Sequence, residues 1–176
     1  MEIYRVEKGE PEWLCRAYDY ARTDSFCFGQ NIPFEMEFAH DAPREELQAV
    51  VMLEDHKPIA GCSITFPRKD TARIGRVCVI REKQRGGYGR LLMADAEKWI
   101  LESGVRHIVI VSQDRAEAFY HKLGYITNPD VSPREYASPP PKDDSGRPEG
   151  GKPEGDKKSA PRIDLGFSVV LVEKYL

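Results

Sequence analysis

The sequence has no long hydrophobic run, few cysteines and no surplus of positive charge. No stretch of about 18 apolar residues occurs, which predicts that no helix spans a membrane. The four cysteines, at positions 15, 27, 62 and 78, form no Cys-x-x-Cys pair, so neither a zinc site nor a thioredoxin-type redox pair is expected. The first residues lack the basic-then-apolar pattern of a secretory signal. We therefore expect a cytoplasmic protein with free thiols, no membrane partner and no metal.

Length and charge favour one domain that does not coat nucleic acid. The chain has 176 residues, of which 40% are hydrophobic, enough for one apolar core. It carries 26 basic and 29 acidic residues, a net charge of −3. Since nucleic-acid coat proteins are basic, we expect no nucleic-acid partner. Whether the protein is a monomer or a homodimer stays open.

One segment, residues 137–161, differs in composition from the rest of the chain. It contains six prolines, four glycines and ten charged residues, and no Val, Ile, Leu, Met or aromatic residue. Such a stretch buries too little apolar surface to offset its ordering entropy. We predict a mobile surface loop inserted within a single domain that spans 1–176. The apolar run FSVVLV after the loop predicts a last strand that returns to the main sheet.

The remainder alternates between strand and helix patterns. An α/β (α+β) fold with a mixed sheet follows from that order. Residues 25–45 fit neither pattern. The predicted strands are 2–6, 48–54, 59–66, 72–80, 107–111 and 125–127, and the predicted helices are 11–21, 87–103 and 115–123.

The informative segment is VCVIREKQRGGYG, at positions 77–89. A buried strand runs into a glycine-rich turn, and the turn opens an amphipathic helix. Glycines let amide N–H groups point into one concave spot, and the helix dipole adds positive potential there. This pattern predicts an anion site suited to phosphate. Further positive charge would come from Arg81, Lys83, Arg85 and Arg90.

Two common phosphate motifs do not match this turn. A P-loop needs a Lys-Ser/Thr pair after its glycines, and none follows. A dinucleotide fingerprint would need its third glycine at Leu92. An ordinary strand–helix connection with convenient glycines stays the alternative interpretation.

A second segment, SQDRAEAFYHKLGY at 112–125, gives a resemblance when it is combined with the turn. Gln84-Arg85-Gly86-Gly87-Tyr88-Gly89 resembles the Gln/Arg-x-x-Gly-x-Gly/Ala motif of the GNAT superfamily of acyl-CoA-dependent N-acetyltransferases. The stretch from Gln113 to Tyr125 resembles that family's later motif, and the order and spacing also fit. The resemblance implies a mixed, mostly antiparallel sheet of six to seven strands, about four flanking helices, and splayed fourth and fifth strands.

The resemblance also implies a cofactor and a site. The co-substrate would be acetyl-CoA. Turn amides would hold its pyrophosphate, and the fourth strand would pair with its pantetheine arm. The implied cofactor-binding residues are Val77, Cys78, Val79, Gln84, Arg85, Gly86, Gly87, Tyr88, Gly89, Arg90, Gln113 and Ala116.

The implied catalytic residue is Tyr120, which would donate a proton to the departing coenzyme A thiolate. The chain departs from the family pattern at the residue that acts as general base in some relatives. Some relatives carry a glutamate near the start of strand four, and Arg73 stands at about that position. The base would then come from elsewhere, and the candidates are Glu35, Glu37, His40, Asp41, His107 and Ser112.

The implied activity is acetyl transfer to a primary amine of a small molecule or a peptide. Early acidic residues, Glu35, Glu37 and Asp41, would suit a cationic acceptor. The alternative is a catalytically silent acyl-CoA sensor or scaffold, which the missing strand-four glutamate keeps open.

Overall fold

The computed structural model describes residues 1–136 and 165–176, and these ranges form one sheet with helices around it. Short π-helical and 3-10 turns join the main elements. The strands are β1 (Glu2–Val6), β2 (Gln48–Glu54), β3 (Lys57–Arg68), β4 (Thr71–Val79), β5 (His107–Gln113), β6 (Ile126–Thr127) and β7 (Val169–Tyr175). The helices are α1 (Glu12–Arg22), α2 (Phe34–Phe38), α3 (Tyr88–Glu102) and α4 (Glu117–Lys122).

The sheet is mixed and mostly antiparallel. Its seven strands lie in the order β1-β2-β3-β4-β5-β7-β6. Neighbours are antiparallel everywhere except between β4 and β5, which run parallel. The predicted fold, a mixed sheet of six to seven strands with about four helices, is therefore confirmed.

The hairpin between β2 and β3 follows from local chemistry. Glu54 pairs with Lys57, so only Asp55 and His56 form the loop. Both have positive φ, 50° and 62°. This is the backbone of a type I′ turn, whose twist matches that of the flanking strands.

Helix α3 lies against the sheet along the predicted apolar face. Leu92, Met93, Ala96 and Ile100 are at most 1% exposed. Trp99 is only partly buried at the edge of the same cluster. Burying an aliphatic side chain of this size contributes about 1.5–3 kcal/mol. The helix is one residue shorter at each end than predicted, because Gly87 has φ 84° and does not continue it.

The parallel contact between β4 and β5 is short, and the strands separate beyond it. Only Thr71, Ala72 and Arg73 of β4 pair with β5. A bulge follows, because Ser63 of β3 faces Gly75 while Gly61 faces Cys78, which leaves one extra residue on β4. The predicted splay of the fourth and fifth strands is confirmed, and it opens a V-shaped gap beside residues 74–79.

The last strand returns to the main sheet, as predicted, and lies between β5 and β6. β7 pairs with β5 along its whole length and with β6 on its other side. The composition-biased segment 137–161 lies outside the described residues. A single domain with that segment as an inserted loop therefore stays a prediction.

The early segment that gave no pattern contains three short helical segments. A π-helix, Thr23–Phe28, continues α1. Helix α2 and a 3-10 turn, Arg44–Glu46, then lead into β2. Across 1–136 and 165–176, no helix is long and apolar enough to cross a bilayer.

Candidate active site

The glycine turn before α3 presents backbone N–H groups to solvent. Arg85 and Gly87 have positive φ, 65° and 84°, and these conformations reverse the chain sharply. No side chain within 1–136 or 165–176 caps the start of α3. Within the described hydrogen bonds, the amides of Arg85, Gly87, Tyr88 and Gly89 have no protein acceptor. Such a set of convergent, unpaired amides at a helix N-terminus fits a phosphate or pyrophosphate group.

Gly89 joins three parts of the site. A Cβ at this position would lie 3.2 Å from the Phe119 ring and 3.8 Å from the side chain of Val79. The turn, the free end of β4 and helix α4 therefore meet at one point. The two motifs that lie apart in the sequence are adjacent in the fold.

The predicted ring of positive charge around the turn is only partly available. The backbone and side chain of Arg81 bind Asp24, with Nη2 3.0 Å from Oδ1. Lys83 binds Glu54, and its ammonium lowers the pKa of that carboxyl. The Tyr88 hydroxyl also donates to Glu54, at 3.0 Å. The side chains of these residues are thus anchored to the protein.

Arg85 and Arg90 differ from the other two basic residues. Both are exposed, and neither forms an ion pair with any residue of 1–136 or 165–176. They flank the free amides, so they are the cations of this turn that remain free to meet an anion.

The free edge of β4 starts after its short pairing with β5. Val77, Cys78 and Val79 have no β5 partner. The Gln84 side-chain amide donates to the Val79 carbonyl at 3.1 Å and so occupies the end of this edge. The Cys78 thiol donates to the Gly61 carbonyl, and burial raises its pKa. The thiol is therefore neutral at ordinary pH, as expected of a small buried side chain.

The end of β5 is tied to the segment between the π-helix and α2. Gln113 Nε2 donates to Gln30 Oε1 at 2.8 Å, and Arg115 donates to both glutamines. Gly29, the residue before Gln30, lies against the side chain of Arg81, which follows the end of β4. Residues 29–30 therefore bridge the wide end of the V-shaped gap. Ala116, the other predicted contact here, is half-buried at the end of a 3-10 turn, Asp114–Ala116.

Tyr120 lies on α4 and is 6% exposed. Its ring packs edge-on against Phe119 and Tyr125, at centroid distances of 5.0 and 5.9 Å. Burial, with smaller contributions from nearby Cys62 and Cys78 on β3 and β4, raises the pKa of its hydroxyl. Among the described residues none accepts a hydrogen bond from this hydroxyl. It is a neutral donor that is free for a ligand.

Four of the six candidate bases are poorly suited to that role. Glu35 and His40 are exposed and make no described side-chain hydrogen bond. His107 is held by Thr71, at 3.0 Å, and by Glu173, at 2.8 Å, at the far end of β5. Ser112 donates to the Gln113 carbonyl at 2.8 Å.

The other two candidates, Glu37 and Asp41, bind one buried arginine. Arg22 is 3% exposed and its Nε lies 3.0 Å from Glu37 Oε1. Its Nη1 and Nη2 bind the two Asp41 oxygens at 2.7 and 2.9 Å. Arg76 Nε approaches Glu37 Oε1 at 3.4 Å. Burial raises the pKa of Glu37, and the two arginines oppose that shift.

The expectation of an acidic pocket for a cationic acceptor is therefore wrong for Glu37 and Asp41. Their charges are compensated by Arg22 within the protein. Only Glu35 of the three acids faces solvent without a described ion pair.

Sequence reasoning missed Arg22, Gln30 and Arg76. One local signal existed for Arg22, which shares a helical face with buried Leu14 and Tyr18. An arginine on an apolar stripe predicts a buried ion pair. Nothing local marked the other two, because their partners lie far away in sequence.

The chain is similar to known proteins in sequence and in fold. Residues 12–125, more than half of the chain, match the model of the acetyltransferase (GNAT) family. An uncharacterized N-acetyltransferase of Bacillus subtilis, YjcF, is 28% identical over 106 residues, which cover 60% of this chain and 74% of YjcF.

Two solved structures share the architecture. An acyl-CoA N-acyltransferase from Pseudomonas aeruginosa has a TM-score of 0.69 at 14% identity, with 98% of both chains covered. The PaiA N-acetyltransferase from Thermoplasma acidophilum, in complex with coenzyme A, has a TM-score of 0.61 at 14% identity, with both chains fully covered. At identities this low, the structural similarity shows a common fold alone.

Proposed function

Because the chain belongs to the GNAT acetyltransferase family, we propose that it transfers an acetyl group from acetyl-CoA to a primary amine of a small molecule or peptide. One observation carries the proposal. The free turn amides, the free edge of β4 and helix α4, which carries Tyr120, meet around Gly89, at one end of the gap between β4 and β5. A phosphate site, a strand edge and a proton donor in that order match the parts of an acyl-CoA.

The co-substrate would lie along this gap. The amides of Arg85, Gly87, Tyr88 and Gly89 would bind the pyrophosphate, with Arg85 and Arg90 adding charge. The edge at Val77–Val79 would pair with the amide groups of the pantetheine arm as an added strand does. The solved PaiA structure, with its bound coenzyme A, supports this assignment of the cofactor class.

The reaction is a direct transfer. The amine nitrogen attacks the thioester carbon, a C–N bond forms and the C–S bond breaks. The sulfur takes a proton from the Tyr120 hydroxyl, and the proton that the amine loses returns to that oxygen through water. An unpaired N–H near the β4 bulge would stabilise the oxyanion.

Burial changes the expected acidity of Tyr120. An ordinary tyrosine has a pKa near 10 and a thiol near about 8.5. Burial raises the pKa of Tyr120, but a thiolate in the same buried gap is destabilised too. The return of the amine proton to the same oxygen offsets the cost of this transfer, so the hydroxyl can protonate the sulfur as it departs.

No described carboxylate is placed as a dedicated base, so we assign deprotonation of the amine to water. Because none of the described carboxylates is placed as a base, a silent acyl-CoA sensor stays the second candidate. The deciding experiment measures thiol release from acetyl-CoA across a panel of primary amines, with calorimetry of coenzyme A binding beside it. Amine-dependent release supports the transferase. Tight binding of coenzyme A without thiol release supports the sensor. If neither binding nor release is detected, both candidate functions are excluded.

A further inference from the structure

Arg73 is a half-buried cation with no hydrogen-bond or ion-pair partner among the described residues. It is the last residue of β4 that pairs with β5, opposite Val109. Its side chain makes no hydrogen bond or ion pair with any residue in 1–136 or 165–176, and its Nε is fully buried. Burial and the nearby charge of Arg76 both lower its pKa. A buried charge with no counter-ion costs stability unless a ligand supplies one.

The Arg73 side chain extends along β4 to Gly75, which lies where β4 has separated from β5. A Cβ at Gly75 would lie 4.0 Å from Arg73 Nη2 and 3.2 Å from Ser63 Oγ. The guanidinium is therefore folded over Gly75. Gly75 precedes Val77 by two residues, a distance of roughly 7 Å along a regular strand.

Arg76 supplies a second cation at the same place. It lies in the bulge with φ 50°, and its side chain is 42% exposed. Its one described ion pair joins Nε to Glu37 at 3.4 Å. That pair involves neither of its two terminal nitrogens.

The charges around the bulge do not balance. Among the described residues two carboxylates, at 37 and 41, pair with Arg22 and Arg76, and Arg73 adds a third positive charge that has no ion pair. Both carboxylates bind Arg22, so the surplus positive charge lies at Arg73 and Arg76. Two adjacent guanidinium groups are the usual protein partners of a carboxylate or phosphate.

We propose that Arg73 and Arg76 bind an anionic group of the acceptor, so that the preferred substrate is a small amine carrying a carboxylate or phosphate a few bonds from its nitrogen. This inference rests on the proposed acetyltransferase function and names the substrate class for that site. The anionic group binds the two guanidinium groups. The amine of the same molecule then lies toward Val77, where the thioester would be.

The test compares amines in matched pairs. Serine and phosphoethanolamine are each compared with ethanolamine, and phenylalanine with phenylethylamine, by kcat/KM for thiol release. The anionic member should be favoured by about tenfold or more, the scale of a charge-assisted hydrogen bond. Arg73→Gln and Arg76→Gln should each lower that ratio by about tenfold, mainly through KM, and Arg73→Lys should restore part of it. Arg68→Gln, which changes an exposed arginine paired with Glu135, is the control.

A direct binding measurement separates this inference from the proposed function. Phosphoethanolamine and phenylalanine are titrated calorimetrically into protein saturated with coenzyme A, and circular dichroism melts confirm that each variant is folded. Binding that Arg73→Gln abolishes, without turnover of any amine, supports the anion site and overturns the transferase. Turnover with no preference for either anionic group, or an equal loss for both members of each pair, overturns the anion site and leaves the transferase standing.

Discussion

Gln30 and Gln113 form a side-chain hydrogen bond across the wide end of the gap between β4 and β5. Gln113 Nε2 donates to Gln30 Oε1 at 2.8 Å, although the two residues lie 83 positions apart. This contact ties the segment after α1 to the end of β5. Any arm that enters the gap along Val77–Val79 passes this bridge.

Removing the bridge should change the rates of coenzyme A binding more than its affinity. In Gln30→Ala, both the association and dissociation rates should rise by about threefold, since a contact that spans the entrance restricts both directions. Stopped-flow binding provides the measurement. Gln48→Ala, at the start of β2, is the control. Unchanged rates would mean that the bridge does not restrict access.

The role of Tyr120 can be separated from its packing. Tyr120→Phe keeps the ring contacts with Phe119 and Tyr125 and removes only the hydroxyl. We expect kcat to fall by about 100-fold, the low end for a lost general acid, with the Kd for acetyl-CoA changed less than about threefold.

Tyr125→Phe is the matched control for that variant. It also removes a buried hydroxyl, one that donates to Glu97 at 2.9 Å. It should lower the unfolding free energy by about 1 kcal/mol and leave kcat near wild type. Equal kcat values for Tyr120→Phe and wild type would exclude Tyr120 as the acid.

The pH dependence of kcat/KM should reflect the ionisation of the acceptor amine and not that of Tyr120. If water takes the amine proton, kcat/KM should rise about tenfold per pH unit below the pKa of the acceptor, near about 10.4 for an alkylamine. Because burial raises the pKa of Tyr120 above its ordinary value, its hydroxyl stays protonated and causes no decline below pH 10. A descending limb below pH 10 that disappears in Tyr120→Phe would contradict this assignment.

Two glycines allow the anion site to be tested against backbone strain. Gly87 and Gly104 have φ of 84° and 85°, and a Cβ would meet nothing within 4 Å at either position. Each substitution by alanine should therefore cost about 1–2 kcal/mol of stability from the left-handed conformation alone. Only Gly87→Ala should also weaken coenzyme A binding, by about tenfold, since it moves the free amides. Equal affinities in calorimetry would show that this turn does not hold the pyrophosphate.

Local patterns predicted the parts of the site that are formed by consecutive residues. The turn at Gln84–Gly89 could be interpreted because glycines, a strand before and a helix after determine the backbone there. The amphipathic helix that follows the turn, α3, could be predicted from an equally short pattern. The splay of β4 and β5 came from the family resemblance and not from any local signal.

Contacts between distant segments could not be predicted in this way. Glu37 and Asp41 were interpreted as an acceptor pocket because sequence alone gave no counter-ion, and Arg22 supplies it from another helix. Gln113 was expected to face the cofactor, and its partner Gln30 lies in a segment without any pattern. The charge that this side presents depends on such pairs, and the sequence did not reveal the arginine that compensates Glu37 and Asp41.

The two arginines with the least solvent contact on this side should respond oppositely to the same substitution. Arg22 makes four hydrogen bonds, to Glu37 and Asp41, and Arg22→Met leaves both carboxylates without that partner. This should lower the unfolding free energy by about 3–5 kcal/mol. Arg73 has no described partner, so Arg73→Met removes an uncompensated charge and should leave stability unchanged or higher.

Chemical denaturation of the two variants without ligand measures this contrast. Arg68→Met, at an exposed position with a weak surface pair to Glu135, should change stability by less than about 1 kcal/mol. Adding an anionic amine together with coenzyme A should then stabilise the wild type more than Arg73→Met, since only the wild type keeps the cation that the ligand neutralises. If Arg73→Met were as destabilising as Arg22→Met, Arg73 would have a structural partner in solution, and the positive charge beside the bulge would serve the fold and not the acceptor.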